Sequence, residues 1–584
     1  MVNYVYCVCN SDNFNTVNSY FQDYEDESFC SLEIISDKNS DTKHTVFLAT
    51  RASRSSIRSN GSVFKGYAIS HVRKEIIFSP PEEYNHVEYM KGCFFNAEFI
   101  SEDTCGESKI LIRGDVFGQL PIIYTSLPGI FICSDSLLAL TDFRKTIGFT
   151  NTINENLFLA KSAHFAFCDQ ILNEGTIVND IKYALPGSII NLNFLGSDIT
   201  NTTTHEGAER IFNNNGESYV ESVQSAALSM VGLLSGCLEI NGTYLRHDLS
   251  GGQDSRLALA ASLGYRSNRD KIVLQSAMGM ADDLRIANQI AGHVSIPLNI
   301  NPVSPITEYI KVPYAALWFA SSAGVYDPLY ALNRRQANLD FFLVGGHGAE
   351  VYKGNYGWYS VNSIAKWTGK TTAIAVSQEA QKGLEQFGID PDCLSGSEWH
   401  YIAFRNALHS GRFTNSTVYG LRPILNRTLA GVAHKIFATH GRPEAKAHSI
   451  ISDLLIHISP HLALLPFDDP IKNLSADYIE SRIRDLGLLT ETAPYTVIGA
   501  PNAASSGPLD RLLDLAKSKN FGDSFTREVV LKNTHKSCDL APSGLKQIVE
   551  EMSKFVDVNL EEPVVGNTKP SRAAGKLMSI HLID

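Results

Sequence analysis

The chain of 584 residues holds ten cysteines but no Cys-x-x-Cys pair. Neither the spacing of a zinc site nor a disulfide framework is suggested. No run of 18 apolar residues occurs, so no membrane-spanning helix is expected. The start, MVNYVYCVCNSDNFN, lacks a basic stretch and a long apolar core and does not read as a secretory signal. The cytoplasm is the expected compartment, and the Asn-x-Thr triplets at Asn201 and Asn415 are then chance matches. Basic residues are the minority, 50 Lys+Arg against 62 Asp+Glu, for a net charge of -12. That excess argues against a protein built to grip nucleic acid. The basic run Arg51, Arg54, Arg58 reads as a solvated loop. No internal repeat is visible. What remains is an ordinary globular composition, 44% hydrophobic and 19% charged, long enough for about two to four domains.

Short strand-like runs fill the first 200 residues: NYVYCVC, HTVFLAT, GCFFNAEFI, SKILIRG, PIIYTS, GIFICS and SIINLNF, with turn residues between them. The polar segment 201–217 reads as a linker. From about 245 onward strands alternate with longer helical segments, as in KIVLQSA followed by DDLRIANQIAGHV, which implies a parallel sheet covered by helices. Residues 360–555 are mostly helical in pattern. The tail 559–584 reads as a loop with a short closing helix, and is expected to be mobile.

The most informative stretch is DLSGGQDSRLALAA, Asp248 to Ala261. A strand, TYLRHDL, precedes it and a helical pattern follows, with Leu257, Ala258 and Ala261 able to share a face. Gly251 and Gly252 let a ligand approach the main chain. The first N–H groups of the helix, with the hydroxyls of Ser250 and Ser255, make a nest for an anion, most naturally a phosphate. Asp254 would repel that phosphate unless a cation lay between them, which implies Mg2+. The loop is not a Walker A loop, because it has no lysine and only one short glycine pair. Ser-Gly-Gly-x-Asp-Ser resembles instead the pyrophosphate loop of the N-type ATP pyrophosphatases. The resemblance implies ATP cleaved between its α and β phosphates and a carbonyl oxygen adenylated. It also implies that Leu249, Ser250, Gly251, Gly252, Asp254 and Ser255 bind ATP, with Leu249 and Val273 against the adenosine.

A second signature lies upstream: GCFFNAEFI, IRGDVFGQLPIIYTSLPGIFICSDSLLAL and YALPGSIINL. It resembles the amino-terminal domain of asparagine synthetase B relatives, with Asp115, Gly118, Pro121, Tyr124, Ala139, Leu140, Pro186, Gly187 and Ser188 matching. Two spacings depart: Gly114 separates Arg113 from Asp115, and Ser134 stands one residue too far from Ala139. The implied fold is α+β and α/β. It comprises a glutaminase-like (Ntn-type αββα) domain over 1–200, the linker 201–217, and an ATP-dependent synthetase domain over 218–558. The synthetase domain has a parallel sheet of the adenine-nucleotide α-hydrolase kind and a helical C-terminal part, followed by the tail 559–584. The family's glutaminase needs cysteine after the initiator methionine, and Val2 stands there. Cys7 and Cys9 read as strand filler. Glutamine hydrolysis is therefore not expected, as in β-lactam synthetase, carbapenam synthetase and lasso-peptide cyclases.

The family's second metal-binding acid follows a glycine turn after another strand. The counterpart is FFLVGGHGAEVYKGNY, in which Glu350 is the expected ligand beside Asp254, Gly346 joins the ATP site, and His347 is placed to accept a proton from an attacking amine. STVYGLRPILNRTLAGVA fits the next landmark loosely. Pro423 and Leu425 align, Asn426 replaces an aspartate, and Tyr419 falls near the position of a catalytic partner. The last landmark, a lysine after a Leu-Pro turn, points to Lys472, which would stabilise developing negative charge; Lys569 and Lys576 are alternatives. Asp282 and Asp283 open the second helix of the nucleotide fold, a place that favours an acid in any protein. Tyr352, Tyr356, Trp358 and Tyr359 could line a substrate cleft or simply pack.

The expected activity is ATP-dependent amide-bond formation. It proceeds by adenylation of a carboxylate and attack by an amine, in the form of macrolactam closure on a peptide as in lasso-peptide cyclases. Cofactors are ATP and Mg2+. The partners are a small-molecule or peptide substrate and, for a peptide, a leader-peptide-processing protease; neither nucleic acid nor membrane is expected. The alternatives are a β-lactam synthetase-like or intermolecular ligase, an ammonia-dependent asparagine synthetase, and a silent ATP-binding scaffold.

Overall fold

Short apolar runs bounded by turn residues make the first part of the chain into strands. The computed structural model describes residues 4–24, 29–37, 42–50, 58, 61–78, 89–101, 108–213, 216–264, 268–300, 313–330, 341–408, 419–440, 448–490, 492–501 and 509–584. Val2, Arg51, Arg54 and Asn415 lie outside them. The N-terminal strands are β1 (Val5–Asn10), β2 (Phe29–Asp37), β3 (Thr42–Ala49), β4 (Val63–Ser70), β5 (Glu75–Ile77), β6 (Lys91–Ser101), β7 (Ser108–Gly114), β8 (Ile123–Leu127), β9 (Ile130–Ser134), β10 (Lys182–Tyr183), β11 (Ile189–Leu195) and β12 (Asp198–Thr204). They form two sheets, ordered β10-β8-β9-β1-β3-β2 and β12-β11-β7-β6-β4-β5, and neighbours among these strands are antiparallel.

The two-residue period of a strand sends alternate side chains to opposite faces. Tyr6 meets Phe95 of the other sheet, with ring centroids 5.5 Å apart. Phe47, one position out of phase with Tyr6 in the β1–β3 register, turns the other way and stacks at 5.2 Å on Phe21 of the helix Phe14–Gln22. Cys7 and Cys9 are fully buried. Burial raises the Cys7 thiol well above its ordinary value and pushes Cys9 up to about 12. Both are strand filler and not nucleophiles.

The third sheet is parallel. Its strands are β13 (Tyr244–Asp248), β14 (Ile272–Gln275), β15 (Phe341–Val344) and β16 (Tyr419–Leu421), ordered β14-β13-β15-β16. From β13 the chain goes to one neighbour, β14, and later to the other, β15. That reversal opens a crevice at the carboxyl ends of β13 and β15, where ligands bind in open α/β sheets. The chain is thus a mixed α/β protein with several sheets, one of them parallel. No helix among the described residues is long and apolar enough to cross a membrane.

The segments expected to be loose are built in. The edge strand β12 runs through the expected linker to Thr204, and the turn of helix Ala208–Ile211 follows, with Ala208 and Ile211 buried. The tail carries the helix Lys569–Met578, which buries Ala573, Ala574, Leu577 and Met578. Its Lys576 ammonium lies 2.8 Å from Asp169, both groups fully buried. The expectation of a mobile tail is corrected by that apolar face and by the buried ion pair. Finally, β17 (Thr496–Ile498) joins the second sheet parallel to β5. It is led there by Tyr495, whose N–H donates to the Gly232 carbonyl at 2.9 Å. A Cβ at Gly232 would stand 2.5 Å from the Tyr495 ring, so the helix Tyr219–Leu238 needs glycine at that contact.

Candidate active site

β13 ends at Asp248, and Leu249–Gly252 turn the chain into the helix Gln253–Leu263. Leu249 N–H donates to the Gln275 carbonyl at the end of β14, 2.7 Å away. Gly252 is the helix N-cap and offers no side-chain oxygen to its first turn, which leaves those amides for an anion. The serines brace the turn. Ser250 N–H donates to Ser255 Oγ at 3.0 Å, the two hydroxyls are 3.0 Å apart, and Gly252 N–H donates to Ser250 Oγ at 3.2 Å. Gly251 is clasped on both sides: its N–H donates to Asp283 Oδ1 at 2.8 Å, and its carbonyl accepts from Asp468 N–H at 3.1 Å.

The glycine turn after β15 closes against this loop. A Cβ on Gly346 would stand 2.6 Å from Asp254 Cβ and 2.8 Å from both Asp254 C and Ser255 N. The two turns therefore touch backbone to backbone. Glu350 opens the short helix Glu350–Lys353, and its Oε2 accepts the Gly348 N–H at 3.0 Å. One turn on, Lys353 Nζ is paired with Asp254 Oδ1. The Asp254 carboxyl is raised above its ordinary value, by burial foremost. Lys353 opposes that shift, the Glu350 charge adds to it, and Lys472 opposes it weakly. Asp254 and the groups that act on it thus come from three separate stretches of chain. His347 is exposed, with its Nδ1 over Gly345, 3.2 Å from where a Cβ would sit; Arg422 Nη1 is 3.5 Å from the same point.

The third stretch, Leu462–Lys472, is moored by Arg256 of the loop's own helix. This fully buried guanidinium donates to the carbonyls of Leu462, Leu465 and Pro466 at 3.1, 2.7 and 2.7 Å. It also lies 3.8 Å above the Phe467 ring. The mooring holds Asp468 against Gly251, and Lys472 Nζ bonds both Asp468 oxygens at 3.0 and 3.2 Å.

One expected residue sits elsewhere. Tyr419 opens β16, paired in register with Phe342, so its backbone is at the amino end of a parallel strand, away from the crevice. Arg422, just past the carboxyl end of that strand, is buried beside Gly345 and feels the Glu350 charge. Val273 is buried on β14, an edge strand of the parallel sheet, two residues before that strand's carboxyl end. Lys576 is held by Asp169, which removes it as an alternative to Lys472. Lys353, Arg256, Asp283 and Asp468 complete the site. A spacing signal for Lys353 existed, three residues after Glu350 on one helix face; none existed for Asp468.

Among the described residues no group of three or more His, Cys, Asp or Glu could hold a metal by itself. Mg2+ commonly uses one or two carboxylates, the rest of its shell coming from phosphate and water. Asp254 and Glu350 fit that need, since the Asp254 carboxyl feels the Glu350 charge and a lysine cation already sits on Asp254.

No family model matches the chain, and no curated protein matches it. Among solved structures it is similar to an allosteric regulatory enzyme of purine biosynthesis, at 8% identity and TM-score 0.20, covering 62% of this chain and 77% of that one. A second is glutamine phosphoribosylpyrophosphate amidotransferase from B. subtilis complexed with ADP and GMP, at 8% identity and TM-score 0.20, covering 64% and 79%. Overlaps this slight carry no argument about the site.

Proposed function

We propose that the chain is an ATP-dependent carbon–nitrogen ligase of the asparagine synthetase-like kind. The reading rests on one observation: the Ser250–Ser255 loop and the Gly345–Glu350 turn meet at the reversal point of the parallel sheet, with Gly346 pressed on Asp254. A carboxylate oxygen of the acyl substrate attacks the α phosphorus of ATP, and the bond to the β-phosphate oxygen breaks. Pyrophosphate leaves with the electron pair, toward the amides and hydroxyls of the loop. An amine nitrogen then attacks the acyl carbon, its proton passes to His347 or water, and AMP departs. Lys472 can turn from Asp468 toward the negative oxygen that develops. Asp254 and Glu350 would hold Mg2+, whose charge lets the phosphates approach two carboxylates. The acceptor amine belongs to the same molecule if the product is a macrolactam; a peptide substrate would bring a leader-processing protease as partner.

Exchange of labelled pyrophosphate into ATP tests this reading, with acids and peptides supplied in turn. Asp254→Ala should abolish exchange; unchanged exchange sinks the assignment. One observation favours a second reading, a silent ATP-binding scaffold: Lys353 already neutralises Asp254. ATP binding that is indifferent to Mg2+, with no exchange, would support the scaffold.

A further inference from the structure

The stretch Arg422–Asn426 leaves the carboxyl end of β16 and runs beside the Gly345–Glu350 turn. Three successive carbonyls in it are held from two sides. Lys91 of β6, in the second sheet, donates through Nζ to the carbonyls of Pro423 at 3.3 Å and Leu425 at 2.7 Å. Between them, the Ile424 carbonyl accepts from the Tyr352 hydroxyl at 2.6 Å, and that hydroxyl in turn accepts the Asn426 N–H at 2.8 Å. Tyr352 lies on the helix Glu350–Lys353, so the stretch bridges Lys91 to the helix that Glu350 opens. A second tie comes from the same sheet: Tyr67 of β4 donates to the Gly420 carbonyl in β16 at 2.6 Å. The β4–β6 register pairs Tyr67 with Cys93 and Ile69 with Lys91, which brings both donors to one place in the sheet.

Leu425 meets the glycine turn directly. A Cβ on Gly348 would stand 2.8 Å from Leu425 Cγ and Cδ2 and 3.4 Å from its N. Gly348 N–H is the donor to Glu350 Oε2. Contact therefore runs from Lys91 to Leu425, to Gly348, to the Glu350 carboxylate. Arg422 opens the stretch with neighbours on both sides. Burial foremost lowers its guanidinium; Tyr67 and Cys93 of the second sheet raise it, as do the charges of Glu350 and Asp248. Lys91 itself is 4% exposed, and burial pushes its pKa down to about 7. Among the described residues no carboxylate lies within ion-pair distance of it. A buried ammonium without a counter-charge destabilises a fold, and such departures cluster at functional sites.

We infer that Lys91 is a positioning residue for Glu350: by holding the Pro423 and Leu425 carbonyls it seats Leu425 against Gly348 and fixes the carboxylate that serves the nucleotide's cation. The N-terminal sheets are then a working part of the site. This rests on the proposed function for ATP and its cation, not for the reaction. Calorimetry on the full chain compares ATP affinity with Mn2+ and with EDTA, Mn2+ standing in for Mg2+. Lys91→Met should shrink the gain that Mn2+ brings by about tenfold, the usual cost of losing a group that orients a metal ligand, with affinity in EDTA unchanged. Lys91→Gln, which keeps a donor without the charge, should recover part of that gain. Lys65→Met is the control. Lys65 of β4 is also a buried lysine, but its Nζ donates to Thr50 within the N-terminal sheets, so its removal should leave the Mn2+ gain at the wild-type value. Should Lys91→Met fail to fold, Tyr67→Phe, which takes the donor from the Gly420 carbonyl, should still diminish the gain. A wild type that gains nothing from Mn2+ overturns the inference, as does a gain that survives Lys91→Met or one that Lys65→Met reduces equally. A Lys91-dependent gain without any pyrophosphate exchange supports the positioning and refutes the adenylation; exchange together with a gain indifferent to Lys91 does the reverse.

Discussion

The contact between the two turns can be broken by one methyl group. In Gly346→Ala the new Cβ meets Asp254 Cβ and backbone atoms of Asp254 and Ser255, none of which can rotate aside as the far end of a flexible side chain would. Going from 2.6 Å to an ordinary contact of 3.4 Å requires a retreat of about 0.8 Å. Displacements of about 1 Å at a reacting centre cost about 100-fold in rate, and overpacking costs about 1–3 kcal/mol of stability. The expected result is a fall of about two orders of magnitude in pyrophosphate exchange, with a folded protein and a modest loss in a urea melt. Gly292→Ala is the control. It lies exposed on the helix Ala281–Val294, with nothing within 4 Å of its Cβ position, and should gain about 0.5–1 kcal/mol at full activity. Full exchange in Gly346→Ala would refute the claim that the two turns act as one site.

Arg256→Met should loosen the Leu462–Lys472 stretch. Three carbonyls lose their donor, for a loss above about 2 kcal/mol in urea melts and a larger loss of exchange; an unchanged melt would show that the mooring is unimportant. His434 is buried, stacked 3.7 Å from Trp399, with neither ring nitrogen hydrogen-bonded, and burial pushes its pKa down to about 3. The native imidazole is neutral while the unfolded one protonates near 6.5, so its share of stability is complete above pH 6.5 and is lost as pH falls toward 3. His434→Phe should therefore gain on the wild type by about 2 kcal/mol between pH 7 and 5; parallel urea melts at the two values would contradict this.

The strands written as short apolar, β-branched and aromatic runs between turn residues were legible in the sequence, β1, β3, β6, β7, β8, β9, β11, β13 and β14 among them. β12 was not, since an edge strand of threonines and asparagines shows no apolar face. β17 was invisible for a different reason: three residues gain their conformation from β5, far away in the chain. At the site, Ser250, Gly251, Gly252, Asp254 and Ser255 could be named from local spacing, because loops between strands and helices keep their chemistry in sequence order, and Gly346 and Glu350 from the resemblance of their glycine turn. Arg422, Asp468 and Arg256 could not. They reach the crevice through packing, and the tyrosine at 419 was favoured only because strand direction cannot be read from a motif. The tail misled because charged and small residues interrupt its apolar ones; its burial rests on the apolar face of the helix Lys569–Met578 and on Lys576 paired with Asp169, some four hundred positions earlier.

The union of β5 and β17 has a cost during synthesis. β5 is made early, yet its partner emerges roughly four hundred residues later, about 20–80 s at ribosomal rates of 5–20 residues per second. For that interval one border of the second sheet offers unpaired amides and carbonyls to any other nascent strand. Asp169, too, waits for Lys576. The chain's window of exposure to self-association is set by how late its closing pieces are made, and slowing translation after residue 77 should lower its soluble yield.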